Sequence, residues 1–302
     1  MAFRIARTPH LFSTLGLVPP YGLAEAPPRR CWSDGRKAAG LIGLVVLLLS
    51  AVGVALYILS GTDPCRPGRL PLSHLAVLVD PTDALSQDEA AKVRSTVWHY
   101  EETLAPGSWI SLLALLPQQP GPVMHVKFSG CRPRDGVDAH AGWENPVRLR
   151  ERYRTEFKTP LEQALAGLET WPEATTSPLF GALEEVATWR PFAPAPGVPR
   201  TLWLVSDLLV HTPGYSHYRP QPAPLQESVV TGLRGVLAGV EILVFLRRSA
   251  HTCPYQTPAH TQSWQTVMQL AGATNYRIKP LHDCPAPLPV VRQPAVGRKP
   301  RR

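Results

Sequence analysis

From residue 74 onward, apolar runs alternate with segments whose apolar positions recur at helical spacing. The strand-like runs are "HLAVLVD" (74–80), "SWISLLALL" (108–116), "VMHVKFS" (123–129), "TLWLVSD" (201–207), "VEILVFL" (240–246) and "NYRIKP" (275–280). Helix-like spacing covers Gln87–Leu104, roughly Pro160–Glu169, Pro178–Trp189, Leu225–Leu237 and Thr261–Ala271. This alternation predicts an α/β domain with a mainly parallel sheet. The second and third runs are joined by "PQQPGP", too short for a crossover helix, so they should form an antiparallel hairpin. Residues 132–157 read as irregular. Two similar helix starts, "TPLEQAL" (159–165) and "SPLFGAL" (177–183), each set a hydroxyl residue before a proline, the order of an N-cap and N1 pair.

A different pattern precedes this domain. Residues 38–61, "AAGLIGLVVLLLSAVGVALYILSG", carry no charge, and at 1.5 Å per residue such a run spans a bilayer's hydrocarbon core. A cleaved signal peptide has a short leader and an apolar region of about 7–15 residues. Here residues 1–37 precede a longer run, which predicts an uncleaved signal-anchor. Arg29, Arg30, Arg36 and Lys37 crowd its amino-terminal flank. The positive-inside rule then sets the amino terminus in the cytoplasm and the remainder outside. The expectation is a single-pass protein of a bacterial inner membrane with a periplasmic domain. Its parts would be a cytoplasmic Pro/Arg-rich arm (1–37), the anchor (38–61), a linker (62–72), the α/β domain (73–284) and a basic Pro-rich tail (285–302).

Charge changes the picture only by its location. The net charge is +8, but the arm and the closing "GRKPRR" account for it, leaving the body near neutral. A nucleic-acid groove needs excess positive charge on the folded body, so no nucleic-acid partner is expected. Cys31 falls on the cytoplasmic side, whereas Cys65, Cys131, Cys253 and Cys284 lie beyond the anchor. An even number in an oxidising compartment suits two disulfides.

The order strand, helix, hairpin, helices, strand, helix, strand, helix, strand resembles the von Willebrand factor type A (vWA) domain, an open Rossmann-type sheet. That family holds a divalent cation at the carboxyl edge of its sheet. Its signature is D-x-S-x-S after the first strand, a Thr before a later helix and an Asp ending the fourth strand. Asp80 and Thr82 match the first element, Ser177 in "SPLFGAL" the second and Asp207 in "LVSDLL" the third. Ala84 departs from the pattern where the family has its second Ser, so the site is degenerate. The resemblance implies Mg²⁺ or Mn²⁺ on Asp80, Thr82, Ser177 and Asp207, completed by an acidic side chain of a protein partner. Hard cations want such oxygen ligands. The other reading leaves Asp80 and Asp207 as polar strand ends and Ser177 as a helix cap.

The resemblance also implies a pairing of cysteines. Cys65 and Cys131 fall at the edge opposite the cation, and Cys253 and Cys284 at the cation's edge, which gives Cys65–Cys131 and Cys253–Cys284. A rival for the second pair is a zinc set of Cys253, Cys284, His251 and His282. The loop "LLVHTPGYSHYRPQPAP" after Asp207 offers His211, Tyr215, His217, Tyr218 and Arg219. Aromatic and Arg side chains favour interfaces, so these residues are candidates for partner contact, or else a proline-stiffened connection. "SWQTVMQLAGAT" (263–274) sets Trp264, Val267, Met268 and Ala271 on one helical face, a core pattern. A strand ending in Asp also opens phosphatase-type folds, but Thr82 stands where their second Asp belongs. No nucleophile and base pair is identifiable. A binding module, not an enzyme, is the expectation; the alternative is a metal-free scaffold of an envelope complex.

Overall fold

A computed structural model of the protein describes residues 32–61, 63–116, 121–139, 144–171, 175–219 and 230–284. The chain divides into two compact units, Met1–Leu59 and Ser60–Arg302.

The described part of the first unit is helix α1, Trp32–Gly61, so the helix begins six residues ahead of the uncharged run. Its side chains are described over 39–55, and all are exposed, Leu41 at 68% and Leu47 at 69% among them. Among the residues whose side chains are described, which for α1 are 39–55, no helix is long and apolar enough to cross a membrane. The rest of the arm (1–31) and the tail (285–302) lie outside the described residues.

In the second unit the apolar runs become strands β1 (His74–Val79), β2 (Trp109–Leu115), β3 (Met124–Cys131), β4 (Arg200–Ser206), β5 (Val240–Leu246) and β6 (Asn275–Pro280). They form one sheet in the order β3-β2-β1-β4-β5-β6. Only the β2–β3 pair is antiparallel, as the short connection required. Every residue of β1 is buried. Successive side chains of a strand point to opposite faces, and both faces here are covered. Leu75, Val77 and Val79 meet Ala90, Val93 and Val97 of α2 (Gln87–Thr103) in one layer. Ala76 and Leu78 join Leu179 and Leu183 of α5 (Leu179–Thr188) in the other. Trp264, Val267 and Met268 of α6 (Pro258–Leu270) complete that second layer, as their spacing predicted.

Caps explain where helices begin. Ser86 and Glu89 form a capping box on α2: the Glu89 N–H donates to Ser86 Oγ at 3.3 Å and the Ser86 N–H to Glu89 Oε2 at 2.9 Å. Ser86→Ala removes a side-chain cap and should cost about 1 kcal/mol, readable as a lower urea midpoint.

Three expectations are corrected. Residues 132–157 are not all irregular, because α3 (Pro146–Tyr153) lies within them and runs through a π turn (Arg154–Lys158) into α4 (Thr159–Ala166). Asn145 Oδ1 accepts from the N–H groups of Val147 and Arg148 at 3.0 and 3.1 Å, with Pro146 following as N1. No side chain of α3 is buried, so it left no apolar stripe to read. Second, Thr159 is not an N-cap: the backbone is already helical at Lys158, and no side-chain cap is made there. Third, the helix expected over Leu225–Leu237 does not reach Leu237. Thr231–Leu233 is a 3₁₀ turn, and Gly235, at φ +74°, breaks it in a left-handed conformation that suits glycine. Residues 225–229 of that expectation lie outside the described residues.

Candidate functional site

The parallel strands place the ends of β1 and β4 side by side, with Val79 opposite Val205. The next residues are Asp80 and, one past Ser206, Asp207. Both are buried, at 1% and 6% exposure. Asp80 is fully engaged. Its Oδ1 accepts from the Thr82 N–H at 3.0 Å and, in a short bond, from the Thr82 hydroxyl. Its Oδ2 accepts from Ser177 Oγ at 2.9 Å and Ser206 Oγ at 3.0 Å. Ser177 is therefore no helix cap; its hydroxyl serves Asp80, and α5 has no side-chain cap. A two-residue bridge to the loop after β4 fixes it there, with the Ser177 N–H donating to the His211 carbonyl at 2.8 Å.

Asp207 Oδ1 accepts from the Leu209 N–H at 2.8 Å. Burial, and then the charge of Asp80, push its pKa up to about 7. Between Asp207 and Leu209 lies Leu208, with φ at +61°, a conformation a branched side chain rarely adopts. Its carbonyl accepts from Trp264 Nε1 at 2.8 Å and bonds His260 Nε2 at 3.1 Å, which hold the turn. Gln256 Nε2 donates to the Asp207 carbonyl at 2.9 Å and to that of Arg247 at 2.7 Å.

Arg247, one residue past β5, clamps the loop after β1 from the side. Its Nη1 donates to the carbonyls of Asp80 (3.3 Å) and Asp83 (2.8 Å), and its Nη2 to that of Ala84 (2.9 Å). Its Nε pairs with Glu89 Oε1 at 3.3 Å, on which His282 Nε2 also lies at 3.1 Å. Burial alone would raise the Glu89 pKa, but Arg247, the Ser86 N–H and His282 hold it below its ordinary value. Asp83, Glu89, Asp207, Arg247, Arg248, His251 and His282 are among the residues lining a cleft of about 480 Å³ here.

All four sequence candidates thus converge: Asp80, Thr82 and Ser177 by hydrogen bonds, and Asp207 by position and charge. Ser206 and Arg247 were not foreseen. Ser206 directly precedes Asp207 on a strand where it read as interior, and Arg247 carried no motif. The donor set suits a hard cation in kind, since it is all oxygen. Each hydroxyl that donates to Asp80 keeps acceptor lone pairs, and a cation would relieve the two neighbouring carboxylates. Ala84 supplies only its carbonyl, already taken by Arg247. Among the described residues no group of three or more His, Cys, Asp or Glu forms a metal cluster.

Both disulfides have the connectivity the resemblance implied. Cys65–Cys131 has a Cα separation of 5.6 Å, and Cys253–Cys284 one of 5.9 Å. The zinc alternative falls, because both sulfurs are bonded to each other, His282 lies on Glu89 and His251 stacks on Tyr218 at 5.6 Å.

The loop after β4 divides. Tyr215 and His217 turn inward, at 9% and 7% exposure, and His217 Nδ1 accepts from the Val210 N–H at 2.9 Å. His211, Tyr218 and Arg219 line a shallow cleft of about 410 Å³. Burial first, then the charges of Asp207, Asp83 and Asp80, raise the Tyr218 pKa above its ordinary value. Tyr218 therefore borders the carboxylate site.

The buried histidines give a pH dependence. Burial lowers His74 to about 4, and burial together with His260 lowers His217 to about 4. The unfolded chain protonates such groups near 6.5, so between about 6.5 and 4 it binds more protons than the fold. Their contribution is present above 6.5 and is lost as pH falls. Asp207 acts the other way, keeping in the fold a proton that the unfolded chain releases near 3.8, which favours the fold at acid pH. Burial lowers His260 as well, so three histidines outnumber one aspartate. Urea midpoints should fall from pH 7 to pH 4.5, and His74→Gln/His217→Gln should flatten the slope.

No family model matches the chain, and no curated protein matches it. Among solved structures it is similar to proximal thread matrix protein 1 from the mussel byssus, at 11% identity and TM-score 0.40, over 72% of this chain and 45% of that one. A von Willebrand factor type A protein from Catenulispora acidiphila gives 12% and 0.37, over 71% and 40%. The SpRpn10 VWA domain gives 10% and 0.40, over 70% and 89%. The chain spans less than half the length of the first two. The strand directions described above, with the third strand alone reversed among the six, are those the resemblance implied.

Proposed function

We propose that the second unit is a vWA-type binding module, tethered to a membrane through residues 38–61, that recognises a protein partner at the carboxyl edge of its sheet. The observation that carries this reading is the convergence of two buried carboxylates and three hydroxyls from three separate stretches of chain. Thr82, Ser177 and Ser206 all turn their hydroxyls to Asp80, while Asp207 lies beside it with its charge disfavoured. Mg²⁺ or Mn²⁺ held by Asp80, Thr82, Ser177 and Asp207 would supply a positive centre for a partner's carboxylate. His211, Tyr218 and Arg219 supply the adjoining contact surface. The membrane tether is supported by the uncharged run and the exposed apolar side chains of α1. Two disulfides suit an extracytoplasmic, periplasmic domain. The site offers binding groups rather than a nucleophile with its base, so the module is read as non-enzymatic.

One observation favours a second reading, a metal-free scaffold. Both oxygens of Asp80 already have donors, and Arg247 pins the loop after β1 without any ion.

The test is thermal unfolding of the full, oxidised chain in detergent, with and without millimolar Mg²⁺ or Mn²⁺. A ligand at about 100 times its Kd adds roughly 2.7 kcal/mol to the native state. A rise in Tm that Asp207→Asn abolishes supports the cation reading, and an unmoved Tm supports the scaffold.

A further inference from the structure

At the opposite edge of the sheet a second cleft, of about 460 Å³, is lined by Arg69, Leu70, His74, Trp109, Arg190 and Arg200 among others. The register explains the convergence: His74 opens β1, with Trp109 of β2 opposite it on one side and Arg200 of β4 on the other. Three arginines line this cleft, and no aspartate or glutamate does. None of the three makes an ion pair among the described residues. Arg200 is 6% exposed; it donates to the carbonyls of Phe192 (3.3 Å) and Ala238, and its guanidinium lies 5.6 Å from the Phe192 ring. Burial lowers its pKa, as expected of a cation with no counter-charge. His74 is neutral at ordinary pH and adds no charge. A buried cation without an anion is costly, and an anionic ligand would remove that cost.

Two features indicate the ligand's other half. Leu70, which lines the cleft, and Leu72, two residues on in the chain, are 55% and 54% exposed. Gly68 follows the last residue of α1 by seven positions, which even fully extended reach about 25 Å. We infer that this cleft binds the phosphate of an anionic phospholipid headgroup, with Arg69, Arg190 and Arg200 facing the phosphate and Leu70 and Leu72 the apolar region below it. The inference rests on the membrane-tether reading.

The experiment is hydrogen exchange across 68–74 and 190–200, on the full chain in nanodiscs of phosphatidylcholine alone or mixed with phosphatidylglycerol. Slower exchange in both segments with phosphatidylglycerol, lost in Arg69→Gln/Arg190→Gln, is the expected result. Both of those side chains are exposed, so the variant should keep its fold. Adding inorganic phosphate to the phosphatidylcholine discs separates the sources. Slowing by free phosphate and not by phosphatidylglycerol would make the ligand a soluble anion and overturn the lipid assignment. No slowing in either arm would overturn the site itself. Alkaline extraction from membranes tests the tether separately. If the chain is released, the same exchange measured on phosphatidylglycerol vesicles added to free chain decides the cleft.

Discussion

Arg247→Ala should destabilise the second unit by about 3–5 kcal/mol, the cost of removing one partner from a buried ion pair. The pair with Glu89 has side-chain exposures of 9% and 7%. Without the guanidinium, Glu89 keeps a buried charge supported by Ser86 and His282 alone. The carbonyls of Asp80, Asp83 and Ala84 lose donors in the same step. Arg247→Lys should recover only part of the loss, because an ammonium is a point charge without the planar fork that reaches several acceptors at once. Denaturant unfolding followed by near-ultraviolet circular dichroism reads the difference. A loss below about 1 kcal/mol, the value of an exposed pair, would mean that Arg247 does not organise the loop.

The second large effect concerns Cys65–Cys131. This bridge joins residues 66 apart and ties the segment before β1 to the end of β3. Loop-closure entropy of the unfolded chain makes such a bridge worth about 4 kcal/mol, and slightly less for Cys253–Cys284 at a separation of 31. Cys65→Ser/Cys131→Ser should therefore lower the Tm more than Cys253→Ser/Cys284→Ser. The ranking is checked on oxidised protein by calorimetry. Equal or negligible losses would mean that the bridges add little to a fold already secured by its two core layers. The Arg132 N–H on the Ser108 carbonyl at 2.8 Å and the Gly107 N–H on the Arg132 carbonyl at 2.7 Å would then hold that corner.

What the sequence made legible follows from where information is local. The strands were readable because each is a short apolar run, and in β1 every residue is buried. Asp80 and Asp207 were readable because each follows such a run, and their juxtaposition follows from parallel pairing of β1 with β4. The cysteine pairs came from the resemblance, which supplied strand directions that no spacing contains. Arg247 was not readable: its partners lie more than 150 residues away, and nothing nearby marks it. The same holds for Ser206, which became a site residue only once β1 lay beside it. Residues 146–153 hid their helix because no apolar face was needed there. Tyr215 and His217 looked like surface recognition groups, yet bonds to Thr212 and Val210 fold them inward. Ser177 shows a local rule overridden. A hydroxyl before a proline suits a cap, but here the Ser177 hydroxyl is turned to donate to the buried Asp80 carboxylate at 2.9 Å, and no side chain caps α5.

The chemistry of Asp207 supplies a clean probe. Its charge is disfavoured by burial and by Asp80, so Asp207→Asn keeps the side-chain oxygen that accepts from Leu209 and removes the repulsion. The variant should fold at least as well as the parent near neutral pH, while losing an anionic ligand. The most direct measurement is therefore Mn²⁺ binding to the full chain at pH 7.5, followed by electron paramagnetic resonance of the free ion, beside Asp207→Asn and Asp80→Asn. The account predicts one saturable site in the parent and its loss in both variants, with the Asp207→Asn fold intact. No saturable binding by the parent, or binding that survives both substitutions, would contradict it.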